Sequence, residues 1–245
     1  MSLNEKIKCI LLDIEGTTTP IDFVHKTLFP FAKEKIGDFV ETHFSELNAE
    51  IAQLKIEYRK DFTDQIYGRD FDENSAESVT NYLKFLIDVD RKSTPLKTIQ
   101  GKIWQEGYES GALRSEMFAD VPRAFESWES ENKRIAIFSS GSILAQKLIF
   151  KYSSFGDLGR FVSNYFDTTV GGKKEAESYR KIAGEIGFSP FEILFISDVA
   201  AELDAAREAG LQTILSIREG NGIVRQPINH DAVASFDDFQ KQSVH

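Results

Sequence analysis

Two acidic residues separated by one position, Asp13 and Glu15, are the residues of this sequence best suited to catalysis. They directly follow the apolar run at 7–12, and Gly16 comes after them. A carboxylate that attacks an electrophile and a second one that transfers protons form a workable catalytic pair. The same residues would also suit an acidic turn that contains glycine at the end of a strand. The stretch by itself leaves both interpretations equally open.

Ser139 and Ser140 follow a second apolar run, at 135–138, and precede a predicted helix. Their hydroxyls and the main-chain N–H groups of a helix start could bind an anion such as phosphate. The hydroxyls could also simply cap the helix, and without further information capping is the favoured interpretation.

Lys173 and Lys174 come after two glycines, at the start of another predicted helix. The helix dipole disfavours a cation at this end, so a lysine there needs another partner, and a bound phosphoryl group would supply one. Two solvated lysines are the alternative, and only one of the pair could be functional.

Asp198 closes the apolar run at 193–196 in the way that Asp13 closes the first run. Glu202 lies four residues further on and could share its helical face. Asp13, a main-chain carbonyl and Asp198 would suit Mg²⁺, which binds one or two carboxylates together with substrate phosphate. The alternative for Asp198 is a helix cap. Because ligands of open parallel sheets bind beyond the carboxyl ends of the strands, four such signals together indicate one site.

The elements that must position these residues alternate between strand and helix from residue 118 onward. Strands are predicted at 7–12, 134–138, 193–196 and 213–217, with an edge strand at 233–236. Helices are predicted at 122–130, 143–150 and 200–209, and one more ends at Gly187. The alternation predicts an α/β fold, with a parallel Rossmann-like sheet covered by helices on both faces.

Residues 21–117 read differently, as an all-helical insertion after the first strand. Apolar residues recur at gaps of three or four between 36 and 62, which is typical of one long helix or of two. Asn74 with Glu77 resembles a capping box that opens the next helix. Thr94 and Pro95 suit a further helix start. We therefore expect an α/β core at 1–20 and 118–245 and a helical cap at 21–117.

The composition restricts the partners. The 245 residues are 41% hydrophobic and 28% charged, as in ordinary globular proteins. The net charge of −10 argues against a broad nucleic-acid or anionic-membrane surface. Cys9 is the single cysteine, so an intrachain disulfide is impossible. No leader-like segment and no bilayer-length apolar run is visible. We expect a cytoplasmic monomer that acts on a small molecule.

The four segments resemble the four motifs of the haloacid-dehalogenase-like hydrolases. A closer resemblance, over nearly the whole chain, is to the enolase-phosphatase (acireductone synthase) family of methionine salvage. Most phosphatases of the superfamily have Asp where this chain has Glu15. The segments that carry the closer resemblance are 11–21 with 23–24, 27–30, 138–142 with 145–148, and Glu175 with 177–183.

The resemblance implies an Mg²⁺-dependent conversion of 2,3-diketo-5-methylthiopentyl-1-phosphate to acireductone and phosphate, by enolisation and then dephosphorylation. Asp13 would attack phosphorus and form an aspartyl-phosphate. Glu15 would protonate the departing oxygen and later deprotonate water. Which group removes the carbon-bound proton stays open, with Glu15 as the candidate.

The remaining roles also follow from the resemblance. Ser139 and Ser140 would bind the phosphoryl group or adjacent oxygens, and Lys173, rather than Lys174, would balance charge and orient the nucleophile. One Mg²⁺ per chain would bind to the Asp13 and Asp198 carboxylates and to the main-chain oxygen of Glu15.

The cap would shield the intermediate from water and shape specificity. Four of its residues or neighbours could line an apolar slot for the methylthio end, although packing within the cap or hinge is the favoured interpretation: Trp104, Tyr108, Met117 and Phe118. Three other functions remain as alternatives. They are a phosphatase of another small phosphate ester, a dehalogenase, and a phosphate-binding protein without turnover.

Overall fold

The computed structural model describes residues 4–221 and 229–239. The chain divides into two compact units, one formed by Met1–Phe23 with Arg114–His245 and the other by Val24–Leu113. The first unit contains the sheet, and the second is helical. In the part of the chain that the structure describes, no helix combines the length and the apolar character needed to cross a membrane.

The strands are β1 (Cys9–Leu12), β2 (Arg134–Phe138), β3 (Val162–Phe166), β4 (Ile193–Ser197), β5 (Gln212–Ser216) and β6 (Asp231–Val233). The α-helices are α1 (Ile21–Phe23), α2 (Phe29–His43), α3 (Asn48–Thr63), α4 (Ala76–Asp88), α5 (Thr94–Glu109), α6 (Val121–Ser130), α7 (Ile143–Lys151), α8 (Ala176–Ile186) and α9 (Ala200–Glu208). A π-helical turn spans Val24–Leu28. Short 3₁₀ turns span Phe44–Glu46, Gly159–Phe161, Pro190–Glu192 and Phe236–Phe239.

The six strands form one parallel sheet in the order β3-β2-β1-β4-β5-β6. The predicted α/β class and parallel sheet are therefore confirmed. From β1 the chain builds the sheet outward through β2 and β3, and then crosses to β4 on the other side. The order of the strands thus reverses between β1 and β4, which is where open parallel sheets bind their ligands. In this register Leu12 lies beside Ile137 on one side and Ile196 on the other.

Apolar residues cover both faces of the sheet, which explains why its strands read as continuous hydrophobic runs. Leu11 and Phe195 form one buried cluster with Ile182 of α8 and Leu203 of α9. Ile10 points to the opposite face and is also fully buried. Helices α6 and α7 pack against β2 and β3. The fold therefore holds the carboxyl ends of β1, β2 and β4 in fixed positions beside one another.

The helical unit resolves the question of one long helix or two. The seam at 36–62 is divided between α2 and α3 by the 3₁₀ turn at Phe44–Glu46. The predicted capping box is wrong, because Ser75 is the N-cap of α4 and its hydroxyl accepts from Ser78 N at 3.2 Å. Helix α5 begins at Thr94, with Ser93 as its cap, so Pro95 is its second residue rather than the predicted first one. The buried Asp61 accepts hydrogen bonds from Tyr82 and Arg91 in this unit.

The last predicted strand is correct in kind and wrong in its bounds. Strand β6 lies at the edge of the sheet as expected, but it ends at Val233 rather than at 236. Asp120 explains the difference, because its Oδ2 accepts hydrogen bonds from the Ser235 hydroxyl and the Phe236 N–H. These bonds turn the chain into the 3₁₀ segment Phe236–Phe239 instead of extending the strand.

Candidate active site

A buried hydrogen-bonded network lies at the carboxyl ends of β1 and β4. Lys173 Nζ lies 2.7 Å from Asp13 Oδ1 and 2.7 Å from Glu202 Oε2. The Ser197 hydroxyl lies 3.3 Å from Asp13 Oδ2 and 3.0 Å from Glu202 Oε2. Ile14 N donates to Asp13 Oδ1 at 2.7 Å. Both carboxylate oxygens of Asp13 are therefore oriented by neighbouring donors before any ligand binds.

The chain turns sharply after Asp13 because Gly16 adopts a left-handed conformation, with φ of +68°. Gly16 N donates to Thr19 O at 2.8 Å, and Glu15 and Thr19 form an isolated β-bridge. A Cβ at Gly16 would lie 2.2 Å from Asp198 Oδ2. A side chain at this position is thus incompatible with the observed place of Asp198. The glycine brings the turn that carries Glu15 directly against the end of β4.

The loop between β3 and α8 positions one lysine and leaves the other outside. The side chain of Lys173 is 9% exposed and points to Asp13, whereas Lys174 is exposed to solvent. Gly171 allows this path, because with φ of +140° a Cβ there would lie 2.2 Å from Ser178 Oγ. The structure therefore brings Lys173 into the site and not Lys174.

Ser139 and Ser140 follow β2 but do not cap α7. The N-cap of α7 is Ser142, whose hydroxyl accepts from Ala145 N at 3.3 Å. Ser139 is buried, and its hydroxyl accepts from Gly141 N at 3.2 Å. Ser140 is exposed. The capping interpretation of these two serines is therefore wrong, and the anion-binding interpretation stays a prediction.

The electrostatics of the network show an excess of negative charge. Burial, followed by the charges of Asp13 and Glu202, raises the pKa of the Asp198 carboxyl to about 7. Burial and Asp13 also raise the pKa of Glu202 to about 7. Burial opposes the charge of Lys173, but Asp13 and Glu202 outweigh it and raise the pKa of the ammonium above its usual range. One ammonium thus stands among three carboxyl groups.

The donor set suits a hard divalent cation. Asp13 and Asp198 supply carboxylate oxygens, and the main-chain oxygen of Glu15 is the predicted third donor. An additional cation would offset the charge that raises the carboxyl pKa values, and oxygen donors of this kind are the ligands that Mg²⁺ prefers. Among residues 4–221 and 229–239, no three His, Cys, Asp or Glu side chains form a metal cluster. The predicted set is smaller, with two carboxylates and one carbonyl.

Several residues of the site were not singled out by the sequence. Ser197 bridges two carboxylates, and the Ser216 hydroxyl and Asn221 Nδ2 donate to Gly16 O at 3.2 and 2.8 Å. Little in the sequence pointed to these three residues, since serine and asparagine are common at and after the ends of strands. Only the position of Ser197, directly before Asp198, could have pointed to it. Glu202 was noted for sharing a helical face with Asp198, whereas the structure shows it against Lys173.

The four residues considered for an apolar slot have partners within their own units. Trp104 Nε1 donates to Leu28 O at 2.9 Å in the helical unit, where Tyr108 is also buried. In the α/β unit the Thr19 hydroxyl contacts Met117 Sδ at 3.3 Å, and Arg218 lies over the Phe118 ring. Each of these contacts lies within one unit, and contact with a methylthio group stays untested.

Comparison with known proteins identifies the family of this chain. Residues 7–210 match the family model of the haloacid dehalogenase-like hydrolases. The chain is 48% identical over 241 residues to enolase-phosphatase E1 of Synechococcus elongatus, which covers 98% of this chain and 100% of that protein. It is 45% identical over 246 residues to enolase-phosphatase E1 of Drosophila pseudoobscura pseudoobscura, with 96% of each chain covered.

A solved structure shows that the similarity extends to the three-dimensional fold. The crystal structure of the UTR4 protein of Saccharomyces cerevisiae superposes with a TM-score of 0.77 at 32% identity, covering 94% of this chain and 99% of that one. A dehalogenase structure at 20% identity, with a TM-score of 0.56, shares the fold alone. The family match spans most of the sequence, and the curated relatives align over nearly their whole length. This chain belongs to the haloacid dehalogenase-like hydrolases, and within them to the enolase-phosphatase family.

Proposed function

We propose that this chain converts 2,3-diketo-5-methylthiopentyl-1-phosphate to acireductone (1,2-dihydroxy-3-keto-5-methylthiopentene) and phosphate, the reaction of methionine salvage. The observation that carries the proposal is the buried network in which Lys173 bridges Asp13 and Glu202. A nucleophilic carboxylate with an adjacent fixed cation is suited to phosphoryl transfer. The two relatives named above, both enolase-phosphatases, support the choice of substrate.

Asp13 is the proposed nucleophile. One of its oxygens forms a bond to phosphorus while the bond between phosphorus and the substrate oxygen breaks. Glu15 gives its proton to that departing oxygen. Glu15 then takes a proton from water, which attacks phosphorus and releases phosphate as the aspartyl–phosphorus bond breaks. The donors on both oxygens of Asp13 favour this route, because they fix the carboxylate before the substrate arrives.

Ser139, Ser140 and Lys173 are the proposed phosphoryl-binding groups. The Lys173 ammonium stabilises the charge that develops on the phosphoryl oxygens, and its raised pKa keeps it protonated at neutral pH. The N–H groups and hydroxyls after β2 are placed at the neighbouring strand end. Substrate phosphate would thus be held between the ends of β1 and β2 and the loop before α8.

Asp13, Asp198 and the main-chain oxygen of Glu15 are the proposed ligands of one Mg²⁺. When bound, this cation would polarise the diketone and stabilise enolate and phosphoryl charge. The residues of the chain contribute the geometry, since Gly16 brings the Glu15 turn against Asp198. Glu15 is also our candidate for the base that removes the carbon-bound proton during enolisation.

The decisive test supplies the diketone phosphate with Mg²⁺ and follows acireductone absorbance together with free phosphate. We expect both signals from the wild-type chain and much lower turnover of ordinary sugar phosphates. Asp13→Asn should lose phosphate release, because an amide is not a competent nucleophile here. Glu15→Ala should lose both signals if Glu15 serves both steps.

Four results separate the alternatives. Loss of phosphate alone in Glu15→Ala would place enolisation on another group. Equal turnover of sugar phosphates would favour a general phosphatase. Phosphate release that survives in Asp13→Asn would contradict the proposed nucleophile. A chelator should abolish activity, whereas a dehalogenase would need no metal.

A further inference from the structure

Tyr179, in the first turn of α8, contacts the loop that carries the candidate lysine. Its hydroxyl donates to the main-chain oxygen of Lys173 at 2.6 Å. Tyr179 has no exposed surface. Burial is also the main reason why the pKa of its hydroxyl is raised well above the usual range. The group is therefore a neutral hydrogen-bond donor at neutral pH.

The neighbouring residues of α8 hold the same loop. The Ser178 hydroxyl donates to Gly172 O at 2.8 Å, and Gly172 N donates to a Glu175 carboxylate oxygen at 3.3 Å. Together with the Tyr179 bond, these contacts hold consecutive carbonyls of the loop against the start of the helix. A main chain fixed in this way determines where the long side chain of Lys173 can reach.

The Tyr179 ring is itself fixed by the sheet. Its centroid lies 5.5 Å from that of Phe138 in β2 and 5.1 Å from that of Phe195 in β4. Phe138 directly precedes Ser139, and Lys173 Nζ lies 5.9 Å from the centre of its ring. Tyr179 therefore connects the loop of Lys173 to β2 and β4, the strands that flank β1.

We propose that Tyr179 is a positioning residue for Lys173, and that its hydroxyl sets the reach of the ammonium to Asp13 and Glu202. This inference rests on the proposed role of Lys173 in phosphoryl transfer, although it does not depend on which phosphate ester is the substrate. Its chemistry is a single hydrogen bond to a main-chain carbonyl. Removing that bond leaves the ring packing intact and frees the loop to shift.

The test is Tyr179→Phe, which deletes the hydroxyl and keeps the ring. We expect kcat to fall about tenfold while KM changes less than about twofold, because a small displacement of a charge-stabilising group mainly affects the transition state. Rates are measured with the diketone phosphate and, separately, with p-nitrophenyl phosphate. Inorganic phosphate binding, measured by calorimetry, should for the same reason change by less than about twofold.

The matched control is Tyr82→Phe. This is another buried tyrosine, and its hydroxyl donates to Asp61 at 2.9 Å in the helical unit. The hydrogen bond that it loses is comparable but is made to Asp61 rather than to the loop of Lys173, so its kcat should stay within about twofold of the wild type. A thermal unfolding curve of each variant checks that both proteins are folded at the assay temperature.

A double-mutant cycle separates positioning from a general structural effect. When Tyr179→Phe is added to Lys173→Arg, kcat should fall by less than about twofold relative to Lys173→Arg alone, because the two changes act on the same group. A further full tenfold loss would overturn the inference, as would an unchanged kcat in Tyr179→Phe or an equal loss in Tyr82→Phe. If only p-nitrophenyl phosphate is hydrolysed, the proposed substrate fails and the comparison of variants still decides the role of Tyr179.

Discussion

At the residue scale, the proposed chemistry of this chain depends on the position of one buried cation among carboxylates. Lys173 contacts Asp13 and Glu202 at equal distances of 2.7 Å, and Asp198 adds negative charge beside them. Lys174, its neighbour in sequence, is exposed. The two lysines have the same chemistry, and only their surroundings differ. Comparing them therefore isolates the effect of position.

We predict that Lys173→Met lowers kcat by on the order of 100-fold, because it removes a fixed donor from the site where phosphoryl charge develops. Lys174→Met should stay within about twofold of the wild type, since the side chain is solvated. Steady-state kinetics with the diketone phosphate test both variants. A larger loss in Lys174→Met than in Lys173→Met would contradict the assignment.

At the element scale, the loops after the strands determine the geometry of the candidate site more than the strands themselves do. Asp13 lies at the carboxyl end of β1, but the turn at Gly16 brings the segment that contains Glu15 against Asp198. Ser216 and Asn221, from the segment that begins at the end of β5, donate to Gly16 O and hold that turn. The site is thus shaped by a glycine turn and by hydrogen bonds between neighbouring strand ends.

We predict that Gly16→Ala lowers kcat at least about tenfold, because its Cβ would overlap the observed position of Asp198 and its φ of +68° would be strained. The matched control is Gly184→Ala, at a helical position where an added Cβ meets nothing within 4 Å. This control should be active and about 0.5–1 kcal/mol more stable. Kinetics and thermal unfolding measure the two effects, and a fully active Gly16→Ala would refute the steric argument.

At the scale of the whole molecule, a buried ion pair between Arg218 and Asp120 joins distant segments of the α/β unit. Arg218 donates to Asp120 Oδ2 at 2.6 Å and to Thr17 O at 3.1 Å, and its guanidinium lies between the rings of Phe118 and Phe236. These contacts join the segment before α6, the turn after β1 and the chain after β6. Burial raises the pKa of Asp120, but the hydrogen bond and charge of Arg218, together with the hydrogen bonds from Phe236 N–H and the Ser235 hydroxyl, outweigh burial and hold the pKa below its usual value.

We predict that Asp120→Asn lowers the free energy of unfolding by about 2–3 kcal/mol at pH 7, because Arg218 would lose its buried charged partner. Since the folded pKa of Asp120 is depressed, its contribution is complete above the unfolded value of 3.8 and is lost as the pH falls through the folded pKa. The difference in stability between wild type and variant should therefore narrow only below about pH 4. Urea unfolding at several pH values measures this, and a gap that widens on acidification would contradict it.

The sequence alone determined the architecture and most of the chemical groups. Apolar runs of four to six residues, separated by amphipathic segments, indicated the alternation of strands and helices, because side-chain periodicity is a local property. Asp13, Ser139 and Asp198 were visible for a similar reason, since each stands directly after a strand. Local rules failed where several polar residues competed for one role, as when Ser75 rather than Asn74 caps α4, and Ser142 rather than Ser139 or Ser140 caps α7.

The tertiary structure decided what depends on distance between segments remote in sequence. The choice of Lys173 over Lys174, which the family resemblance had suggested, was visible as geometry only when the loop before α8 was placed beside β1. The bridging of Asp13 and Glu202 by Ser197 and Lys173, and the bond from Tyr179 to Lys173 O, also join separate elements. Burial created the charge imbalance of the site, because the same carboxyl groups would be ordinary acids in water. No single segment contains that information.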